Sequence, residues 1–154
     1  MPGFRAFSRL ALVLVLPLAW CTAPLAADIV VDTSSDGPLL PVGACTLRQA
    51  VQAANSDAAV GNCTAGDGAD RIVFDGVAAV TVRSALATIT ESLTFDGEGT
   101  LVAIRRNPDD NDMFRILDVS GINTMLTLRG TAGENGALDA PAEDNGAGIH
   151  SPGL

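Results

Sequence analysis

Apolar residues in the second half of this chain return at a nearly constant interval, and that interval limits the folds open to it. Phe74, Phe95 and Ile116 recur with a period of about 21 residues, and Val82, Ile104 and Leu126 with a period of about 22. From Arg71 onward the local texture is short alternation: Ile72/Phe74, Val80/Val82, Leu93/Phe95, Phe114/Ile116 and Leu126/Leu128. Alternation with a period of two makes half-buried strands. Gly or Asp punctuates nearly every run, as in Asp75-Gly76, Asp96-Gly97 and Ser120-Gly121, residues that supply left-handed backbone or side-chain-to-backbone bonds at turns. Helical spacing is absent, so this region is β. Short strands in close succession suit a sandwich of hairpins. Two interleaved series near one period suit stacked coils with apolar residues aligned inside. Spacing alone leaves both open.

One helix precedes this region. Thr46-Leu47-Arg48-Gln49 is a capping box: the Thr46 hydroxyl accepts from the Gln49 backbone N–H, and the Gln49 side chain reaches back to the Thr46 N–H. Leu47, Ala50, Val51 and Ala54 then fall on one apolar stripe, and Asn55 and Ser56 close the element. Near two turns is too short to stand alone, so the stripe must dock on something. Upstream, Asp28–Asp32 reads as a short strand, followed by a loop containing Ser34, Ser35, Gly37 and Pro38.

The segment before Asp28 reads as an address. Arg5 and Arg9 precede an apolar run from Leu10 to Trp20, and the small residues Ala23, Ala26 and Ala27 follow before the first acid, Asp28. A helix over that run would rise roughly 16 Å, about half of a bilayer core. This is the pattern of a secretory signal peptide, with cleavage expected after Ala27, and no later run is long enough to span a membrane. Cys21 leaves with that segment. The exported chain keeps Cys45 and Cys63, and an even count in an exported protein favours a disulfide over two separately buried thiols. Closing this loop stabilises by about 3 kcal/mol in the chain-entropy model. With His150 the only His, no zinc set is available.

Charge narrows the partners. The chain has nine Arg, no Lys and 18 acids; without residues 1–27 it keeps seven Arg against the same 18 acids, a net charge of −11. Such a surface repels phosphate, which excludes nucleic acid and anionic membranes, while 47% apolar content is enough to order the chain. No catalytic, metal or cofactor site is expected. Asn107-Pro108-Asp109-Asp110-Asn111-Asp112 lacks the Gly and downstream Glu of a calcium loop and has Arg105-Arg106 beside it, so it reads as a solvated turn. Gly66-Asp67-Gly68 and Gly97-Glu98-Gly99 open no helix after a strand and make no phosphate cradle. Asn62-Cys63-Thr64 is formally a glycosylation sequon, uninformative around a bridged Cys. Asp75, Asp96 and Asp118 recur about once per interval. They form either a carboxylate ladder facing a saccharide or, the preferred reading, turn chemistry.

Cys45-Thr46-Leu47-Arg48-Gln49-Ala50-Val51, continuing Gln52-Ala53-Ala54-Asn55, resembles the CSLREA motif found near the N-terminus of many exported proteins with right-handed parallel β-helix repeats. Asp28–Thr33, Asp70–Phe74, Leu86–Thr90, Leu93–Gly97 and Asn145–Ile149 resemble the flanking strand and the early coils of that family. Thr46 stands where the motif has Ser, Gln49 where it has Glu and Val51 where it has Ile, changes that preserve capping and the apolar stripe. The resemblance implies a mainly β chain: the first coils of a right-handed parallel β-helix with a short N-terminal capping α-helix. Residues 28–69 would hold the first strand and the disulfide-pinned helix, and 70–154 about four coils, either a truncated set, the preferred reading, or one whose open end partner chains cover. Cys45 and Cys63 would staple a lid made by Thr46, Leu47, Gln49, Val51 and Ala54, which buries the open end of a stack otherwise prone to association. Implied is the N-terminal part of an exported or cell-surface protein, a non-enzymatic adhesion or interaction scaffold for surface glycans or proteins. The alternative is a polysaccharide lyase or hydrolase whose catalytic coils lie beyond Leu154.

Overall fold

Ile29, Ile72, Phe95 and Leu128 lie side by side on four neighbouring strands, and the first three are sealed from solvent. The column belongs to a computed structural model that describes residues 26–36, 42–108, 114–134 and 149–150. Its strands are β1 (Asp28–Val31), β2 (Asp70–Phe74), β3 (Ala79–Val82), β4 (Leu93–Asp96), β5 (Val102–Arg106), β6 (Leu117–Asp118), β7 (Leu126–Arg129), β8 (Thr131–Glu134) and β9 (Ile149–His150), with one helix, α1 (Leu47–Ser56). They form three sheets in the orders β1-β2-β4-β7, β3-β5-β8 and β6-β9, and every strand pair is parallel. Parallel neighbours cannot be joined by hairpins, so the hairpin sandwich left open by the spacing is not this fold.

The chain visits the three sheets in a fixed order: β2, β3, then the segment Leu86–Ile89; β4, β5, β6; and β7, β8, β9. Leu86–Ile89 joins the third face through a parallel bridge from Ile89 to Val119, with Ile89 N–H on Asp118 O at 2.7 Å and Ser120 N–H on Ile89 O at 2.9 Å. Alternate residues turn inward on the second face, where Val80, Val82, Val102 and Ile104 fill the middle, and Ile89, Ile116 and Leu117 are buried on the third.

The stacking register differs from the one the spacing predicts. Phe95 lies beside Ile72 rather than Phe74, Ile104 beside Val80 rather than Val82, and Leu126 beside Leu93 in another sheet from Ile104. The steps between partners are also unequal. In the first sheet Phe95 to Leu128 is a longer stretch of chain than Ile72 to Phe95, and in the second Ile104 to Gly133 is longer than Val80 to Ile104. The described strands therefore make three passes where a uniform interval predicts about four. Hydrogen-bond register acts on strands alone, while the corner loops between them change length freely.

Where corners stack, space is short. Gly97 donates its N–H to Arg129 O, and Val102 N–H bonds to Gly130 O, which brings two turns into contact. A Cβ on Gly97 would collide with Thr100 O and lie 2.5 Å from Gly130 O, backbone atoms that cannot step aside. Gly97→Ala is expected to lower stability by about 2 kcal/mol, as overpacking does. At Gly76 the backbone is left-handed (φ +66) but space is open, and Ala there should cost about 1 kcal/mol. Urea unfolding of the two variants checks the order.

Candidate functional site

The helix and its ties are the most elaborately built part of the molecule. Thr46 is extended (φ −86, ψ 158) and takes the Gln49 N–H on Oγ1 at 3.2 Å, while Gln49 Oε1 accepts the Thr46 N–H at 3.2 Å. The helix is nearly three turns long rather than two and ends on Asp57 in left-handed backbone. Leu47, Ala50, Val51 and Ala54, the stripe read from the sequence, are buried, and so is Ala53. All join the same apolar cluster as Ile29, Ile72 and Phe95. Cys45 and Cys63 form a disulfide and are both buried, which fixes the residue before the cap to the chain beyond the helix and suits oxidising surroundings.

Two polar side chains of α1 bind it to elements far along the chain. Arg48 grips Asp36 with Nε on Oδ1 at 2.9 Å and Nη2 on Oδ2 at 2.8 Å, and also donates to Ala85 O at 2.7 Å and Ser84 O at 3.0 Å. The Asp36 carboxylate is only 3% exposed and takes the Arg83 N–H as well. Asn55 works at the other end: Nδ2 donates to Thr88 O at 2.8 Å, and Oδ1 accepts the Thr90 N–H at 3.0 Å. The helix thus spans from the β1 edge to segment 84–90. In the sequence Arg48 and Asn55 stand out only as motif residues. Their partners at Asp36 and in segment 84–90 lie outside the helix on either side, so no local pattern could assign those bonds.

The outer surface carries a second network. Arg71 on β2 holds Asp28 of β1 through Nε and Nη2 at 2.8 and 2.7 Å, and reaches Asp96 of β4 and Glu98 at 3.4 Å each. The Asp28 carboxyl is held below its ordinary value, chiefly by the Arg71 hydrogen bonds. Asp96 is also lowered, first by the Glu98 backbone N–H on Oδ1 and then by Arg71. No ladder of Asp75, Asp96 and Asp118 forms: Asp75 is exposed just past β2, Asp96 faces out from the first sheet, and Asp118 accepts from Thr88 Oγ1 on the third. Asp96 does perform the turn chemistry read from the sequence. His150 lies in β9, opposite Asp118. Of the acidic stretch only Asn107 and Pro108 are described, and Arg106 sits over the Phe114 ring at 5.9 Å. Cys21, with the rest of 1–25, Asn145–Gly148 and 151–154 lie outside the described set. Among the described residues no cluster of metal-ligating side chains occurs and no helix is long and apolar enough to cross a membrane.

Open surface lies elsewhere. A cleft of about 560 Å³ runs between Asp32–Ser34 and the outer side of the second sheet, where Thr81 and Arg105 face it. A smaller one of about 210 Å³, lined by Ser92, Thr94, Asn123 and Thr127, sits at the corner before β4. Both clefts open to solvent and present hydroxyl groups, with a carboxylate and a guanidinium in the larger and an amide in the smaller. No family model, curated protein or solved structure matches this chain.

Two outcomes follow from these networks. Arg48→Ala leaves the Asp36 carboxylate buried without its counter-charge and should cost about 3 kcal/mol; Arg48→Lys should recover only part, because an ammonium cannot replace the planar fork. Chemical denaturation measures both. Carboxyls lowered on folding stabilise the fold above their unfolded value, about 3.9 for Asp, and lose that contribution as pH falls through the folded value. The melting temperature should therefore fall as pH drops below about 4, and less steeply in Arg71→Ala; parallel curves would contradict this assignment.

Proposed function

We propose that this chain is the N-terminal part of an exported, right-handed parallel β-helix protein that acts as a non-enzymatic adhesion or interaction scaffold at the cell surface. The observation that carries the reading is the fixed order in which the chain visits three parallel sheets, with Ile29, Ile72, Phe95 and Leu128 in one column. A parallel crossover is right-handed in nearly all proteins, which gives the winding its hand. The resemblance of Cys45–Asn55 to the CSLREA motif supports the family. In this reading α1 is the lid of the first coil, stapled by Cys45–Cys63, tied by Arg48 and Asn55, and applied through Leu47, Val51 and Ala54.

Export is supported by the disulfide and by the arrangement of Arg5, Arg9, the Leu10–Trp20 run and the small residues before Asp28. A scaffold function agrees with polar, shallow outer clefts and an interior filled with aliphatic side chains. Surface glycans or proteins are the partners such faces would meet, through hydroxyl and ion-pair contacts.

The test is to express the full chain in an export-competent host and incubate the product with neutral and acidic polysaccharides. Retention on immobilised polysaccharide or on cell surfaces without new reducing or unsaturated ends is expected. Chain cleavage that disappears in Asp96→Ala would replace this reading with the enzyme. Val51→Asp places a charge under the helix and should cost about 3 kcal/mol or more, the penalty of an unpaired buried carboxylate, with loss of solubility. Unchanged unfolding and solubility would remove the lid.

A further inference from the structure

Asp70 is a buried carboxylate with no cationic partner among the described residues. It is 1% exposed and turns inward at the start of β2. Its Oδ1 accepts two neutral donors, the N–H of Ala27 at 3.0 Å and of Asp67 at 2.9 Å, while Oδ2 is buried with no partner. Gly66 closes over it: a Cβ there would collide with Oδ2 and lie 2.9 Å from Ala54 Cα and 3.0 Å from Ala53 O. The charges around it are mostly of the same sign. Asp57 caps α1 and accepts the Gly68 N–H, Asp67 is in the adjoining loop, and Glu91 precedes β4. The Glu91 carboxyl is pushed up by burial first and then by Asp57 and Asp70. Arg71 is the next residue, but it faces outward and is committed to Asp28, Asp96 and Glu98. A carboxylate taken out of water needs a counter-charge or more donors than this.

The donor that processing can turn into a cation is the Ala27 nitrogen. We infer that the precursor is cut between Ala26 and Ala27, and that the new α-ammonium of Ala27 docks on the Asp70 carboxylate. The inference rests on the export reading above and moves the cut one residue earlier than the sequence expectation. Ala26 and Ala27 are both small, and the residue two places further upstream, Pro24 or Leu25, departs from the small-residue pattern for either cut, so that pattern does not choose between them. The bonds kept by the folded product distinguish them. Ala27 N–H is bound to Asp70, and Ala27 O accepts the Arg71 N–H at 2.8 Å, extending the β1–β2 ladder. A cut after Ala27 discards both bonds; a cut before it keeps both and adds the charge. In that hydrolysis the Ala26–Ala27 C–N bond breaks and the oxygen of water goes to Ala26 as its carboxylate. The Ala27 nitrogen becomes –NH3+, with three donors in place of one to serve both carboxylate oxygens.

Two experiments test it. Full-length chain is exported, and the N-terminus of the product is sequenced: Ala27 first is expected. A product beginning at Asp28 overturns the inference while leaving export standing; a product retaining the leader overturns both. Separately, chain beginning at Ala27 is compared with the same chain N-acetylated, which restores the neutral donor of the precursor. The α-amine should titrate at least about one unit above the ordinary 7.7–8.0, a tenfold gain in proton affinity, followed by nitrogen NMR. A folded value raised in this way means extra stability at neutral pH that is lost as pH rises through that value. The free amine should therefore resist urea better than the acetylated form at about pH 6, and the gap should close above about pH 10. An unshifted amine, or a gap that survives in Asp70→Asn, would sink the proposal.

Discussion

Parallel pairing in register is self-continuing: each strand offers the next a matching edge, and each inward column a matching surface. The same property leaves the first of the described strands with no strand beneath it among the described residues. β1 is the edge of its sheet, and the column Ile29–Ile72–Phe95–Leu128 starts there, so the apolar interior would meet water without α1. So short a helix cannot hold itself in place by propensity. Its position is set instead by bonds to segments outside it: Cys45 to Cys63, Arg48 to Asp36 and to the carbonyls of Ser84 and Ala85, and Asn55 to both sides of Ile89. The helix packs on β1 and β2 and shares one apolar cluster with Ile29 and Ile72, so its place against that end of the first sheet depends on these few contacts.

The opposite requirement governs the corners. Strand register must be kept, but nothing requires equal lengths between strands, and the second pass is longer than the first. Length is absorbed after β5 and between β6 and β7, while the corner at Gly97 and Gly130 is close enough that backbone meets backbone. Tight corners bring successive passes into backbone contact, and the looser stretch between β6 and β7 lines the smaller cleft through Asn123 and Met125.

Those two regimes explain what the amino-acid sequence discloses. The helix was legible down to its capping box, because capping and stripe are local: Thr46 to Gln49 and Leu47 to Ala54 fall within three turns. Strands β1, β2, β3, β4 and β7 were legible for the same reason, whereas the Phe114/Ile116 run lies just before β6 rather than in a strand, and β5 and β8 showed no alternation of their own. The disulfide was legible because, with Cys21 assigned to the leader, two cysteines leave a single pairing. Register was not. Phe74 and Phe95 look like partners at constant spacing, yet Phe95 lies beside Ile72, since pairing obeys the backbone ladder and an alternating strand offers several equivalent apolar residues. Asp75, Asp96 and Asp118 failed as a ladder by the same route: Asp96 pairs with Val73 and so is out of step with Asp75 on the first sheet, and Asp118 lies on the third. The roles of Asp36, Asp70 and Arg71 were invisible because each is defined by a partner distant in sequence.

Asp70 and Arg71 show how much one step of a strand decides. Successive residues face opposite sides, so the arginine goes to solvent, where it gathers Asp28, Asp96 and Glu98 into one network, and the carboxylate goes inward, where it gathers backbone N–H groups from Ala27 and Asp67. The two adjacent residues do not neutralise each other, because the sheet stands between them. The exposed network is screened and contributes modestly. The buried carboxylate is less screened, and a counter-charge from the protein would have to sit on a chain segment that already reaches it. The segment that does so is the one immediately before β1, and this makes the start of the first strand an electrostatic position as well as a geometric one.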